Sequence, residues 1–97
     1  MQTYVMLANF TDQGIRNVKE AHKRRDAFHE ECAKHGGRIK DAYFTMGRYD
    51  VVAIIEAPND SAMNTILYCL GSRGNLRTET LRAFTRQEAA EALAKML

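Results

Sequence analysis

The chain has 97 residues, of which 45% are hydrophobic and 27% charged, with one proline and six glycines. This length predicts a single domain over residues 1–97, and the composition is typical of a soluble globular domain rather than a disordered or collagen-like chain. The formal net charge of +2 is too small to indicate a nucleic-acid partner. No apolar run is long enough to predict a transmembrane helix.

The first element is a predicted strand over residues 2–10, which are apolar and rich in β-forming residues. These residues lack the basic segment of a secretory signal, so we expect a cytoplasmic protein. Thr11 or Asp12 can cap a long helix that we predict to reach residue 35. Gly36 is well suited to end that helix in a left-handed conformation.

Two further strands are predicted over residues 38–46 and 51–57, joined by a tight connection at 47–50. Pro58 ends the second of these strands, and Asn59 or Asp60 then caps another helix.

That helix has an apolar stripe with the spacing of a helix face, formed by Ala62, Met63, Ile66, Leu67 and Leu70. Gly71 and Gly74 are expected to end it. A fourth strand follows over residues 76–84. The capping-box sequence at 85–88 predicts a short C-terminal helix that reaches residue 97.

The predicted order is strand, helix, strand, strand, helix, strand, followed by the C-terminal helix. Right-handed crossovers arrange such a chain as an α+β, ferredoxin-like βαββαβ fold with an antiparallel sheet in strand order 4-1-3-2. Both long helices then cover the same face of the sheet.

The other face of the sheet also carries apolar side chains. In the third predicted strand Val52 and Ile54 point one way, and Val51, Ala53 and Ile55 point the other. A strand with one solvated face should alternate apolar and polar residues. A second copy of the chain is the simplest cover for this face, so we predict a homodimer or higher homo-oligomer, a dimeric α/β barrel.

Several segments together resemble the GYD-domain family of dimeric α/β-barrel proteins. They are residues 4–7, 9–14, 45–52 with Gly47-Arg48-Tyr49-Asp50, 56–58 and 74–84. The resemblance implies the ferredoxin-like fold and a homo-oligomer. It does not imply one activity, because related barrels include cofactor-free oxygenases, isomerases and effector-binding domains. The basic, histidine-rich stretch 21–29 departs from the family's usual pattern.

The topology gathers polar residues at one edge of the sheet, where the first strand ends and the fourth begins. The predicted ligand-binding residues there are Asn9, Tyr49, Asp50, Asn75 and Thr78. The helix N-terminus at the same edge favours an acidic or polar ligand. The alternative is purely structural: Gly47 permits the turn and Asp50 caps backbone amides.

The first predicted helix contains an arginine on its apolar stripe. Arg25 lies among Ile15, Val18, Ala21, Phe28 and Cys32, so it must be paired, for example with Glu56, or reach solvent.

His22, Asp26 and His29 are three potential metal ligands on this helix, but no fourth ligand is evident. We therefore predict neither a metal site nor a cofactor.

Three classes of function remain open. We favour small-molecule binding in a cavity of the dimer. The alternatives are a cofactor-independent oxygenase or isomerase, with Asp50 or His29 as general base, and a structural or regulatory interaction module. An apolar cavity with few polar groups would favour ligand binding, whereas a perturbed carboxylate or histidine in its wall would favour an enzyme. Residues 38–46 lack the aromatic pattern of RNA-recognition domains, so no nucleic-acid partner is expected.

Overall fold

A computed structural model describes residues 1–96, which form one four-stranded antiparallel sheet in the order β2-β3-β1-β4. The strands are β1 (Gln2–Phe10), β2 (Arg38–Phe44), β3 (Val51–Ala57) and β4 (Leu76–Ala83). The helices are α1 (Asp12–Arg16), α2 (Ala21–Lys34), α3 (Asp60–Ser72) and α4 (Arg86–Ala94). The α+β, ferredoxin-like fold and its predicted strand order are confirmed.

The hydrophobic core lies between the sheet and helices α2 and α3. Alternate residues of β1 and β3 point into it, as the two-residue period of a strand requires. The strands contribute Tyr4, Met6, Ala8, Ala53, Ile55 and Ala57, and the helices contribute Phe28, Cys32, Met63, Ile66 and Leu70. Helices α2 and α3 therefore cover this face of the sheet along β1 and β3.

The element boundaries agree closely with the local sequence signals. The Thr11 side chain caps α1, Gly36 has a φ of 76°, and Thr85 and Glu88 form the capping box of α4. Strands β2 and β4 end at Phe44 and Ala83, one or two residues earlier than predicted. Helix α3 continues through Gly71 to Ser72. The last helix ends at Ala94, earlier than the predicted end at residue 97, and residue 97 itself lies outside the described residues.

The prediction of one continuous helix over residues 12–35 is wrong. The helix breaks after Arg16, and a short 3-10 turn at Val18–Glu20 leads into α2. The Asn17 side chain donates a hydrogen bond to the Gln13 carbonyl, which competes with the helical backbone bonds of this segment. The break changes the direction of the apolar stripe, and Ile15 and Val18 are 51% and 41% exposed.

Gly14 allows α1 to approach the start of β4 closely. A Cβ atom at this position would lie 2.0 Å from the Asn75 carbonyl oxygen, which also accepts a hydrogen bond from the Thr11 amide. We expect Gly14→Ala to lower the free energy of unfolding by ~2–3 kcal/mol, because backbone must move to admit the methyl group. Thermal unfolding followed by circular dichroism measures this loss. Gly71→Ala is the matched control and should be neutral or stabilising, since that helical position is open.

The second face of the sheet is not covered by any helix within residues 1–96. We call it the open face, defined by the apolar side chains of Val5, Leu7, Val52, Ile54 and Leu81. Leu81 is half exposed, and the polar residues Arg38, Glu56, Arg77 and Glu79 lie around this apolar centre. The apolar character of both faces that the sequence predicts is present.

Helix α4 extends away from the rest of the chain. None of its residues is buried, and the Cα radius of gyration is 14.6 Å, against roughly 12.5 Å for a compact chain of this length. An isolated helix of nine residues is marginal in water. None of the helices within residues 1–96 has the length and apolar character that a membrane crossing requires.

Candidate functional site

A cavity of about 100 Å³ opens between α2 and the helix-covered face of the sheet. Most of its wall is apolar and includes Met6, Phe10, Phe28, Ile39, Phe44, Val51, Leu70 and Leu76. The small side chains of Ala21, Ala42 and Ala53 also line it and leave the space that larger residues would fill. The volume is sufficient for several water molecules or for the body of a small ligand.

Arginines supply most of the polar part of this wall. Arg24 lines the cavity and donates hydrogen bonds to the carbonyls of Asn17 and Gly14, so it caps free carbonyl groups at the C-terminal end of α1. Arg73 lies 3.6 Å from the Glu31 carboxylate. Arg25 is exposed at the mouth of the cavity, and among residues 1–96 no carboxylate oxygen lies within 4.0 Å of its guanidinium. This guanidinium is therefore available to an external anion.

The five ligand-binding residues predicted at the polar edge of the sheet do not line one common pocket. Asn9, Tyr49 and Thr78 line a shallow depression at the edge of the open face, together with Leu7, Arg48, Arg77 and Glu79. The Tyr49 hydroxyl donates to the Glu79 carboxylate at 3.1 Å, and the Arg48 guanidinium lies over the Tyr49 ring. Asn75 instead lines the cavity beneath α2.

Asp50 lines neither the cavity nor the depression. Its Oδ2 atom accepts a hydrogen bond from the Phe10 amide at 2.9 Å, and its own amide donates to the Ala8 carbonyl. Its backbone carbonyl accepts from the Thr45 amide. These contacts are those of the structural alternative, in which Asp50 fastens the turn after β2 to the end of β1.

Asp50→Asn should therefore cost about 1 kcal/mol or less of stability, because an amide oxygen can still accept from Phe10. We expect ligand binding in the cavity to be unchanged. Urea unfolding measures the first effect, and a binding titration on the same sample measures the second. A normal unfolding curve with lost binding would instead assign Asp50 to the ligand site.

Comparison with models of known protein families identifies the family of this chain. The GYD domain model matches residues 4–93, which is nearly the whole chain. The chain belongs to the GYD domain family. The resemblance seen in the sequence segments is thereby confirmed.

Two similar proteins both come from Thermus thermophilus. One, named glutamine synthetase and cystathionine beta-lyase binding protein, is 30% identical over 84 residues, covering 86% of this chain and 88% of that protein. The other is the protein TTHA0845, whose crystal structure is similar to this chain with 25% sequence identity and a TM-score of 0.55. That alignment covers 88% of this chain and 95% of the solved one.

The remaining candidate side chains of the first helical region of this GYD domain, and the suggested partner Glu56, have the following surroundings. His22, Asp26 and His29 are all exposed, and they do not form a ligand cluster within the described residues. Glu56, considered as a partner of Arg25, is instead paired with Arg38 of the neighbouring strand. Arg25 reaches solvent, which is one of the two arrangements expected for an arginine on an apolar stripe.

Sequence reasoning did not identify the cavity itself. The visible signals were Arg25 within an apolar stripe and small residues at positions 21, 42 and 53. These alanines come from three different elements, and only the folded register brings them to one cavity wall.

Proposed function

We propose that this GYD domain binds a small carboxylic acid with an apolar body in the cavity beneath α2. The observation that carries the proposal is the Arg25 guanidinium, which lies without a carboxylate partner among residues 1–96 at the mouth of an apolar cavity. The apolar wall would receive the body of the ligand, and the guanidinium would pair with its carboxylate.

Ligand binding is better supported than catalysis. Among the described residues that line the cavity there is no carboxylate, histidine or thiol to act as general base or nucleophile. Asp50 and His29, the bases considered from the sequence, both lie outside the cavity wall. The lining thus supports a binding protein over a cofactor-independent oxygenase or isomerase.

A pair of nearly isosteric ligands tests the proposal. Phenylacetate carries the expected charge, and phenylacetamide is neutral but similar in shape. We expect calorimetric or NMR titration to show binding of the acid and at least about tenfold weaker binding of the amide. Arg25→Gln should abolish this preference. Arg16→Gln removes the same charge from α1 outside the cavity and should retain it. Equal binding of acid and amide by the natural protein, or binding of neither, would contradict the proposal.

We propose further that the active form is a cytoplasmic homodimer joined through the open face. The apolar centre of this face and the exposed α4 both support a second copy as the cover. Both cysteines are free thiols, as is usual in a reducing compartment.

A second candidate function is docking on a metabolic enzyme. The observation that favours it is the name of the Thermus thermophilus relative, which is a binding protein for glutamine synthetase and cystathionine beta-lyase. Sedimentation of this protein with each purified enzyme, with and without phenylacetate, tests the idea. Co-sedimentation in a fixed ratio supports docking, and independent sedimentation under both conditions contradicts it.

A further inference from the structure

Three potential metal ligands, none of which lines the cavity, meet where α2 packs beside α3. Glu31 lies in the last turn of α2 and His35 is the C-cap residue of that helix, and their i, i+4 spacing places them on one side of the helix end. Cys69 comes from the facing side of α3. One carboxylate oxygen, one imidazole nitrogen and the thiol sulfur all lie within 4.8 Å of one another.

The Glu31 carboxylate in this cluster has several polar neighbours. Its side chain is only 13% exposed. Arg73 lies at 3.6 Å, Lys34 at 3.7 Å and His35 Nε2 at 3.4 Å. The Cys69 thiol contributes a weak hydrogen bond, which lowers the pKa of Glu31 and raises the pKa of the thiol.

We propose that Glu31, His35 and Cys69 form a Zn²⁺ site in which a water molecule completes the coordination. Thiolate, imidazole and carboxylate are the three ligand types that zinc takes in proteins. Magnesium and calcium require oxygen ligands and would not use the thiol. Three protein ligands and one open position match the tetrahedral preference of zinc.

The distances require only small side-chain movements. In a tetrahedral zinc site with bonds of about 2.0–2.3 Å, neighbouring ligand atoms lie about 3.3–3.6 Å apart. His35 Nε2 and Glu31 Oε1 are already 3.4 Å apart. The distances from the Cys69 sulfur to the other two ligand atoms are at most 4.8 Å. Side-chain rotations that move these atoms by about 1 Å would bring them to the tetrahedral spacing.

The surrounding charges fit a site that uses one oxygen of Glu31. Oε1 faces His35 and would bind the metal, whereas Oε2 faces Arg73 and Lys34, which would orient the carboxylate from outside the coordination sphere. Cys69 binds as the thiolate, and its proton passes to solvent as the metal–sulfur bond forms. Thiolate and carboxylate together then balance the charge of Zn²⁺.

Titration of the full chain with Zn²⁺ and Co²⁺ tests this site. We expect one metal per chain, and the cobalt form should show a near-ultraviolet thiolate charge-transfer band. Cys69→Ala should abolish the band, and His35→Gln should weaken zinc binding by more than 100-fold, since even outer partners contribute 10–100-fold. His35 is partly exposed at the end of α2, so its variant is expected to fold, as circular dichroism can verify.

His29→Gln is the matched control, because it removes an exposed histidine of the same helix. It should leave zinc binding unchanged. Failure of the natural chain to bind either metal would overturn the proposal. Binding that survives Cys69→Ala and is lost in His29→Gln would equally overturn it, by moving the site to the exposed face of α2.

Discussion

Ile54→Glu is expected to convert a dimer of this protein into monomers. Ile54 lies at the apolar centre of the open face, opposite Val5 in the register of β3 with β1. In a twofold interface the substitution would bury two unpaired carboxylates, one from each copy. A loss of at least about 3 kcal/mol per dimer corresponds to a dissociation constant raised roughly 100-fold or more. Sedimentation velocity over a range of protein concentrations measures this shift.

The matched control for this prediction is Ile15→Glu, which makes the same change at an exposed position of α1. It should leave the sedimentation behaviour unchanged. A natural protein that sediments as a monomer at micromolar concentration would refute the dimer. Circular dichroism of the Ile54 variant distinguishes dissociation from unfolding.

Ala42→Leu should abolish ligand binding while the fold persists. Ala42 is a half-buried residue of β2 in the cavity wall. Leucine has three more carbon atoms than alanine, and they would fill the part of the cavity that the ligand would occupy. Filling an existing cavity need not overpack the core, so the melting temperature should hold or rise. Calorimetric titration with phenylacetate and a thermal unfolding curve measure the two effects separately.

Ala27→Leu provides the same change at an exposed position of α2 that does not line the cavity. Binding in this control should match that of the natural protein. If Ala42→Leu binds phenylacetate normally, the ligand does not occupy the cavity beneath α2.

Much of the fold could be predicted from sequence because its signals are local. Short, nearly continuous apolar runs predict β1 and β3. Gly36 and the Thr85–Glu88 capping box end or begin helices through contacts within a few residues. The antiparallel order then follows from chirality rules for crossover connections. The low helix propensity of Gly14 and Asn17 was also visible, but the competing hydrogen bonds of Asn17 decide where the helix breaks.

The functional surfaces were harder to predict because they depend on contacts between distant segments. Asn75 and Thr78 lie near each other in the sequence, yet they line different surfaces of the sheet region. Glu31 and His35 have a recognisable i, i+4 spacing, but the contribution of Cys69 depends on the relative rotation of α2 and α3. Helical periodicity gives the faces of each helix and not the way in which two helices meet.

The most direct test of ligand binding is a two-dimensional NMR titration of the natural protein with phenylacetate. The predicted shifts cluster at Phe28, Ala42, Leu70 and Leu76, with the Arg25 side chain also affected. Saturable shifts confined to these residues would support the cavity beneath α2 as the ligand site. Shifts centred on Arg48 and Arg77 at the open-face edge, or no saturable shifts, would contradict it.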